Sequence, residues 1–172
     1  METPKLGNTS LMLSVVLWGT LLGGIAYSHL VYFPVYLSAL PDSAVVVNGP
    51  YGLNEATFWA TIHPPLILSL AFALAANWRL RARRRLIAVS FAVYLLVLVV
   101  SAAYFIPELG NFARSPQSGV PPAEWLARGR RWQRLSWARG AVMYASFLPL
   151  LFALTRPAGA PRGEAAGAAP AV

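Results

Sequence analysis

The chain has 172 residues, of which 57% are hydrophobic and only 12% are charged, and its formal net charge is +8. Soluble domains carry about twice that share of charged residues, so the composition excludes an ordinary soluble domain and favours a membrane protein. The sequence contains no cysteine, which excludes disulfides, cysteine-ligated zinc or iron–sulfur sites and covalently attached c-type haem. In such a chain we read the positive charge as a membrane-surface feature and expect no nucleic-acid partner.

Long stretches without formal charge predict four transmembrane helices, at about residues 11–38, 56–78, 86–107 and 134–155. A spanning helix needs about 20 apolar residues, and the fourth stretch reaches that length if its helix begins near Trp132. The first apolar run continues to Leu40, too long for a cleavable signal peptide, so we expect an uncleaved first helix. The predicted organisation is a cytoplasmic N-terminus (1–10), one transmembrane domain (11–155) and a disordered tail (156–172) rich in alanine, glycine and proline.

The links between these helices predict the orientation of the chain. Five arginines crowd the link between the second and third predicted helices: Arg79, Arg81, Arg83, Arg84 and Arg85. Short basic links stay in the cytoplasm, so we expect a solvated cytoplasmic collar that contacts anionic lipid, with both termini inside. The expected location is a bacterial inner (plasma) membrane.

The segment before the last span predicts an additional structural feature. Pro121 and Pro122 suit a helix start, and Trp125 and Trp132 contribute to a partial apolar face, which is typical of an interfacial amphipathic helix. The predicted fold is therefore all-α, an integral membrane antiparallel four-helix bundle with this interfacial helix before the fourth span.

Polar side chains are concentrated toward one end of the predicted spans. Glu55, Trp59 and His63 recur every four residues and share one helix face. His29 lies in the first helix, and at about 1.5 Å rise per residue the two histidines are predicted to lie at similar depth in the outer half of the bundle. Ionisable residues are costly inside a bilayer and usually mark function.

These residues leave two interpretations open. The histidines are either ligands of a b-type haem or of a metal ion joined by Glu55 or Glu108, or buried groups hydrogen-bonded to neighbours. The carboxylates and Arg139 form either an ion-pair network at the helix ends, or a general base and an anion clamp. The cofactor is accordingly predicted to be absent, haem b or a metal ion.

The third and fourth helices carry a family resemblance. The stretch "YFIPELGNFARS" and the later "EWLARGRRWQRLSWARGAVMYASFLPLLFAL" resemble a family of small four-helix membrane proteins that includes the anthrone oxygenases. Members typically end helix three with an aromatic-Ile-Pro segment and a nearby asparagine, here Phe105, Ile106, Pro107 and Asn111. They then carry a Trp-x-x-x-(Trp/His)-x-x-Arg pattern, which Trp132, Trp137 and Arg139 match approximately. Glu108 departs from the family pattern.

The resemblance implies oxidation of a small lipophilic, anthrone-like aromatic substrate without an established cofactor, in the outer half of the bundle. In this hypothesis a histidine removes a proton from the substrate, Arg139 stabilises the anion, and aromatic rings stack on the substrate. The predicted catalytic residues are His63, His29, Arg139 and Glu108. The predicted substrate-binding residues are Tyr32, Trp59, Tyr104 and Asn111.

Two alternative functions remain at this stage. The first is a haem-b or metal-binding electron-transfer or accessory subunit, with His29 and His63 as ligands. The second is a non-enzymatic membrane partner or assembly protein. The expected partners are the lipid bilayer, the small lipophilic molecule and either a second copy of the chain or a membrane partner subunit.

Overall fold

The computed structural model describes residues 3–157, and the side chains from Lys5 onward. Within this range every regular element is helical, which confirms the prediction of an all-α protein. Four helices are long and apolar enough to cross a membrane: Lys5–Tyr36, Glu55–Ala76, Arg81–Ala113 and Pro122–Thr155. They are the first to fourth helices below. The predicted disordered tail lies outside the described residues, apart from Arg156 and Pro157.

Single π turns interrupt the first and third helices. The first helix comprises an α-helix, a π turn and a final α-helical turn, at Thr3–Tyr27, Ser28–Tyr32 and Phe33–Tyr36. The third has the same three parts at Arg81–Val100, Ser101–Phe105 and Ile106–Ala113. A proline stands two residues beyond each π turn, Pro34 and Pro107. Proline lacks an N–H and crowds the preceding turn, and a wider turn relieves that crowding.

The second and fourth helices are continuous. The second begins after Asn54, whose side-chain oxygen accepts the backbone N–H of Ala56 at 3.1 Å and caps the helix. The fourth helix runs unbroken over 34 residues, so the segment predicted to be interfacial is continuous with the last span. Three short helical turns complete the described chain, at Asp42–Ala44, Val45–Asn48 and Ser115–Gln117.

Each long helix packs against two others. The first lies against the second and the fourth, and the third also lies against the second and the fourth. The link 77–80 and residues Asn8 and Arg156 lie together at one end of the molecule, which we term the terminal end. The two long connections, 37–54 and 114–121, lie at the opposite end, which we term the loop end.

Two separate hydrophobic clusters fill the interior. The larger one occupies the middle of the helices and the terminal end, and includes Trp18, Leu66, Tyr94 and Leu150. The smaller one fills the loop end, and includes Tyr36, Phe112, Trp125 and Trp132. Aromatic rings dominate this loop-end cluster, where Trp132 packs edge-on against Phe33 and Phe105. The loop end therefore has its own packed core instead of loose connections.

A buried arginine joins the helices at the terminal end. Arg83 is only 3% exposed and donates hydrogen bonds to the carbonyl of Arg156 and to the side-chain oxygens of Asn8 and Asn77. Asn77 in turn donates to the carbonyl of Gly7 at 3.1 Å. We term this group the Arg83 clamp. It corrects the expectation that all five arginines of the link are solvated, because the carbonyl at the end of the fourth helix attracts Arg83 inward.

Candidate functional site

A layer of polar side chains lies between the two hydrophobic clusters. We term it the polar layer, and its members are Ser28, His29, Glu55, His63, Ser101, Ser136 and Arg139. The His29 ring packs edge-on against Phe33 of the loop-end cluster, 5.4 Å between centroids, whereas His63 contacts Tyr94 of the larger cluster. Polar groups from all four helices are therefore gathered at the boundary between the two clusters.

The loop-end side of the polar layer, at Ser28 and Ser136, lies about one hydrocarbon thickness from the Arg83 clamp. Twenty residues separate Asn8 from Ser28 along the first helix, and twenty separate Ser136 from Arg156 along the fourth. At about 1.5 Å per residue this distance is about 30 Å, the thickness of the hydrocarbon core of a bilayer. In a membrane, the layer and the clamp would thus mark its two boundaries.

His29 forms a hydrogen-bonded chain with the fourth helix. Its side chain is 2% exposed, and Nδ1 lies 2.8 Å from the carbonyl oxygen of Ile25. Because a carbonyl only accepts, Nδ1 carries the proton, and Nε2 of the neutral ring accepts from the Ser136 hydroxyl at 3.0 Å. The oxygen of Ser136 accepts from Nη2 of Arg139, also at 3.0 Å. Both nitrogens of His29 are thereby engaged by the protein.

Arg139 is held in the layer without a carboxylate partner. Its Nη1 donates to Ser101 Oγ at 3.0 Å, and its guanidinium carbon lies 4.1 Å from the centroid of the Phe105 ring. Within residues 5–157, the structure forms one ion pair, Arg128 with Glu108, so Arg139 is not neutralised by an acid. A cation left uncompensated among apolar rings favours binding of an anion.

His63 has a different set of neighbours from His29. Its Nδ1 lies 2.6 Å from the hydroxyl oxygen of the fully buried Tyr94, and its ring stacks on Trp59 with 6.0 Å between centroids. Nε2 forms no hydrogen bond with the described part of the chain. In the tautomer that carries the proton on Nδ1, this nitrogen is a free base.

The two histidines lie at different levels, not at the similar depth that the sequence predicts. His63 lies 14 residues from Asn77, and His29 lies 21 residues from Asn8. Measured from the Arg83 clamp, these separations are about 21 Å and 31 Å along the helices. The difference arises because the first helix continues past the polar layer as far as Tyr36, so the end of its apolar run is not a membrane boundary.

Glu55 and its aromatic neighbours border the layer on the loop-end side. The carboxylate accepts a hydrogen bond of 2.6 Å from the Ser28 hydroxyl, which joins the start of the second helix to the first π turn. Trp59 is partly exposed, and its ring stacks on that of His63. Tyr32 is buried against Phe33 and Tyr36 in the loop-end cluster, which leaves little of its ring available to a substrate.

Glu108 and Asn111 belong to a separate group at the loop end. Arg128 donates two hydrogen bonds to the Glu108 carboxylate, at 2.8 and 2.7 Å, and Asn111 donates a third at 2.9 Å. Glu108 lies seven residues beyond Ser101, about 10 Å further along the helix. Tyr104 is partly exposed and packs on Phe105. The structure therefore does not bring Glu108 or Asn111 to the polar layer.

Three further residues belong to the layer but not to the site predicted from the sequence: Ser28, Ser101 and Ser136. A sequence signal for two of them exists. Ser28 and Ser101 each begin a π turn and each precede a proline by six residues, in "SHLVYFP" and "SAAYFIP". π turns within α-helices are frequent at functional sites. The first of these two contacts Ser136 through His29, and the second contacts Arg139 through Ser101.

A haem or metal ion ligated by both histidines does not fit this arrangement. Both ring nitrogens of His29 already bond to protein groups, and the imidazoles differ in level by about 10 Å. Among the residues with described side chains, no group of three or more histidine, aspartate or glutamate side chains is placed to hold a metal ion. We therefore derive no chemistry from a cofactor.

Comparison of the chain with protein-family models, with curated proteins and with solved structures finds no match.

Proposed function

We propose that the chain is an integral membrane protein whose four long helices form an antiparallel bundle with both termini in the cytoplasm. Two observations support this proposal. The helices have the length and composition of membrane spans, and the Arg83 clamp lies about 30 Å from the polar layer. The arginine-rich link at the terminal end favours the cytoplasmic side for that end. In this orientation the polar layer lies near the outer boundary, and the start of the fourth helix lies at the interface.

We further propose that the protein is an anthrone-oxygenase-like oxidoreductase that acts on a small lipophilic aromatic molecule. The observation that carries this proposal is Arg139, a cation without a carboxylate partner in the described chain, linked through Ser136 to the His29 imidazole and packed on the Phe105 ring. An aromatic ketone that loses a C–H proton becomes a flat anion. A guanidinium fixed by two serines stabilises such an anion without reorganising.

The proposed reaction uses His63 as the base. Nε2 of His63 accepts a proton from the methylene carbon of the substrate, and Arg139 binds the resulting enolate oxygen. The carbanion reacts with molecular oxygen, and the proton returned by His63 yields a hydroperoxide. Loss of water from the hydroperoxide leaves a ketone, so one substrate and one O₂ give one quinone and one H₂O. Trp59 stacks on the flat ring.

His29 has a positioning role in this proposal. Because Nδ1 and Nε2 are both engaged, its ring orients the Ser136 hydroxyl, and Ser136 in turn holds one side of the Arg139 guanidinium. In this proposal the two histidines, either of which the sequence allows as the base, have different roles. His63 faces the substrate with a free nitrogen, and His29 supports the anion-binding arginine from behind.

Oxygen consumption with anthrone as the substrate tests the proposal. We expect the detergent-purified protein to consume oxygen and form anthraquinone, and His63→Ala to abolish turnover while the protein still elutes as a folded species. Ser90→Ala is the control, because Ser90 is a buried polar residue that lies outside the polar layer. Full activity of the His63→Ala variant would rule out the proposed mechanism.

A further inference from the structure

An open cavity of about 360 Å³ lies on the outer surface of the fourth helix, beside the polar layer. It is lined by Arg130, Gln133, Arg134 and Trp137. These positions follow the spacing i, i+3, i+4 and i+7, which places them on one face of the helix. One wall of the cavity is therefore a row of hydrogen-bond donors along a single helix, which we term the donor stripe.

The donors of this stripe are not used within the described chain. Arg130 and Arg134 are exposed, and neither lies within ion-pair distance of an acid among residues 5–157. Two guanidinium groups, one amide and one indole N–H thus converge on a single surface without protein acceptors. Such a set of donors matches a phosphate group, whose oxygens only accept and carry negative charge.

The position of the stripe along the membrane normal indicates that this phosphate belongs to a lipid headgroup. Arg134 and Arg130 lie two and six residues beyond Ser136, hence about 3 and 9 Å past the polar layer. If the layer marks the boundary of the hydrocarbon core, these arginines lie in the headgroup region, which is several ångströms thick on each side. Trp137 is 47% exposed and lies one turn deeper, where the acyl chains begin.

We infer that this cavity binds the phosphodiester headgroup of an anionic phospholipid, with the Trp137 ring against its acyl chain. The inference rests on the membrane insertion proposed above, but not on the oxidation chemistry. The Trp137 ring also packs against the His29 ring, with 4.7 Å between centroids. A lipid bound here therefore covers the side of the polar layer that faces the bilayer.

Fluorescence quenching by brominated lipids tests this inference. The protein is reconstituted in phosphatidylcholine containing brominated phosphatidylglycerol or, for comparison, brominated phosphatidylcholine. Subtraction of the Trp137→Phe signal isolates the quenching of Trp137. We expect phosphatidylglycerol to be preferred, and Arg130→Gln with Arg134→Gln to weaken the preference by about fivefold for each arginine removed.

A control variant with the same loss of charge distinguishes a local effect of Arg130 and Arg134 from a general effect of net charge. The double variant Arg79→Gln with Arg81→Gln removes the same charge at the terminal end and is expected to leave the preference at Trp137 unchanged. Equal quenching by both brominated lipids in the wild-type protein, or a preference insensitive to Arg130 and Arg134, would overturn the inference. Displacement by millimolar glycerol 3-phosphate would also overturn it, because the site would then bind a free phosphate. Sedimentation with the vesicles verifies insertion independently.

Discussion

At the scale of single residues, Ser136 is the group on which the polar layer depends. Its one hydroxyl donates to His29 of the first helix and accepts from Arg139, which also bonds to Ser101 of the third helix. Ser136 is fully buried, so no water replaces a lost partner. Removal of the hydroxyl would leave both a ring nitrogen and a guanidinium N–H unpaired.

Ser136→Ala is therefore expected to lower the free energy of unfolding by about 1–2 kcal/mol, the range for a buried hydrogen bond between membrane helices. Ser90→Ala is the matched control, because the Ser90 hydroxyl is buried without a hydrogen-bond partner in the described chain. Its removal should leave stability unchanged or raise it. Unfolding in mixed detergent micelles measures both values, and equal losses in the two variants would contradict the account of Ser136.

Neighbouring glycines of the first helix provide a second comparison of this kind. A Cβ on Gly24 would lie 2.4 Å from the Phe58 ring of the second helix, whereas a Cβ on Gly23 would meet nothing within 4 Å. We expect Gly24→Ala to cost about 1–3 kcal/mol through overpacking. Gly23→Ala should be neutral or stabilising, since alanine favours a helix. Unfolding in mixed detergent micelles measures both variants. A Gly24→Ala variant as stable as Gly23→Ala would show that the first and second helices are not in close contact at Gly24.

At the scale of elements, the long apolar runs of the sequence were sufficient to predict four helices. Without water to satisfy backbone groups, such runs have few alternatives to a helix. The π turns were not predictable, because a π turn differs from an α turn by one step in hydrogen-bond register, which side-chain periodicity does not record. Pro34 and Pro107 were visible in the sequence, but their consequence for Ser28 and Ser101 was not.

The composition of the site was predictable only in part, for a similar reason. His63, Trp59 and Arg139 were identified because charged or aromatic residues are conspicuous within apolar runs. Serines are common in membrane helices, and the pairing of His29 with Ser136 joins positions 107 residues apart. The sequence alone does not show that these two side chains lie close together in space. Glu108 was assigned to the site because Arg128, its actual partner, lies on another helix.

At the scale of the whole molecule, the Arg83 clamp and the polar layer are expected to contribute in different ways. The clamp joins the first helix, the link 77–80 and the end of the fourth helix, and it lies far from the proposed chemistry. We expect Arg83→Met to lower the free energy of unfolding by about 3 kcal/mol, since hydrogen bonds to a charged donor are lost. Arg81→Met, at an exposed position, should change it little.

Unfolding measurements on both arginine variants check this expectation. Catalytic rates of the folded fraction test whether the clamp affects the proposed chemistry. Loss of the clamp should leave the rate per folded molecule close to that of the wild type. A stable Arg83→Met variant would show that the hydrogen bonds of Arg83 do not hold the terminal end together.

An anaerobic absorption titration of bound anthrone tests the proposal that Arg139 stabilises a substrate anion inside the bundle. Without oxygen no turnover occurs, and the coloured enolate reports its own ionisation. One charged hydrogen bond should lower the pKa of bound anthrone by about one to two units relative to detergent alone. The Arg139→Gln variant should lose this shift while Arg131→Gln, at an exposed position of the same helix, retains it. An unshifted titration in the wild-type protein would contradict the proposed function of the polar layer.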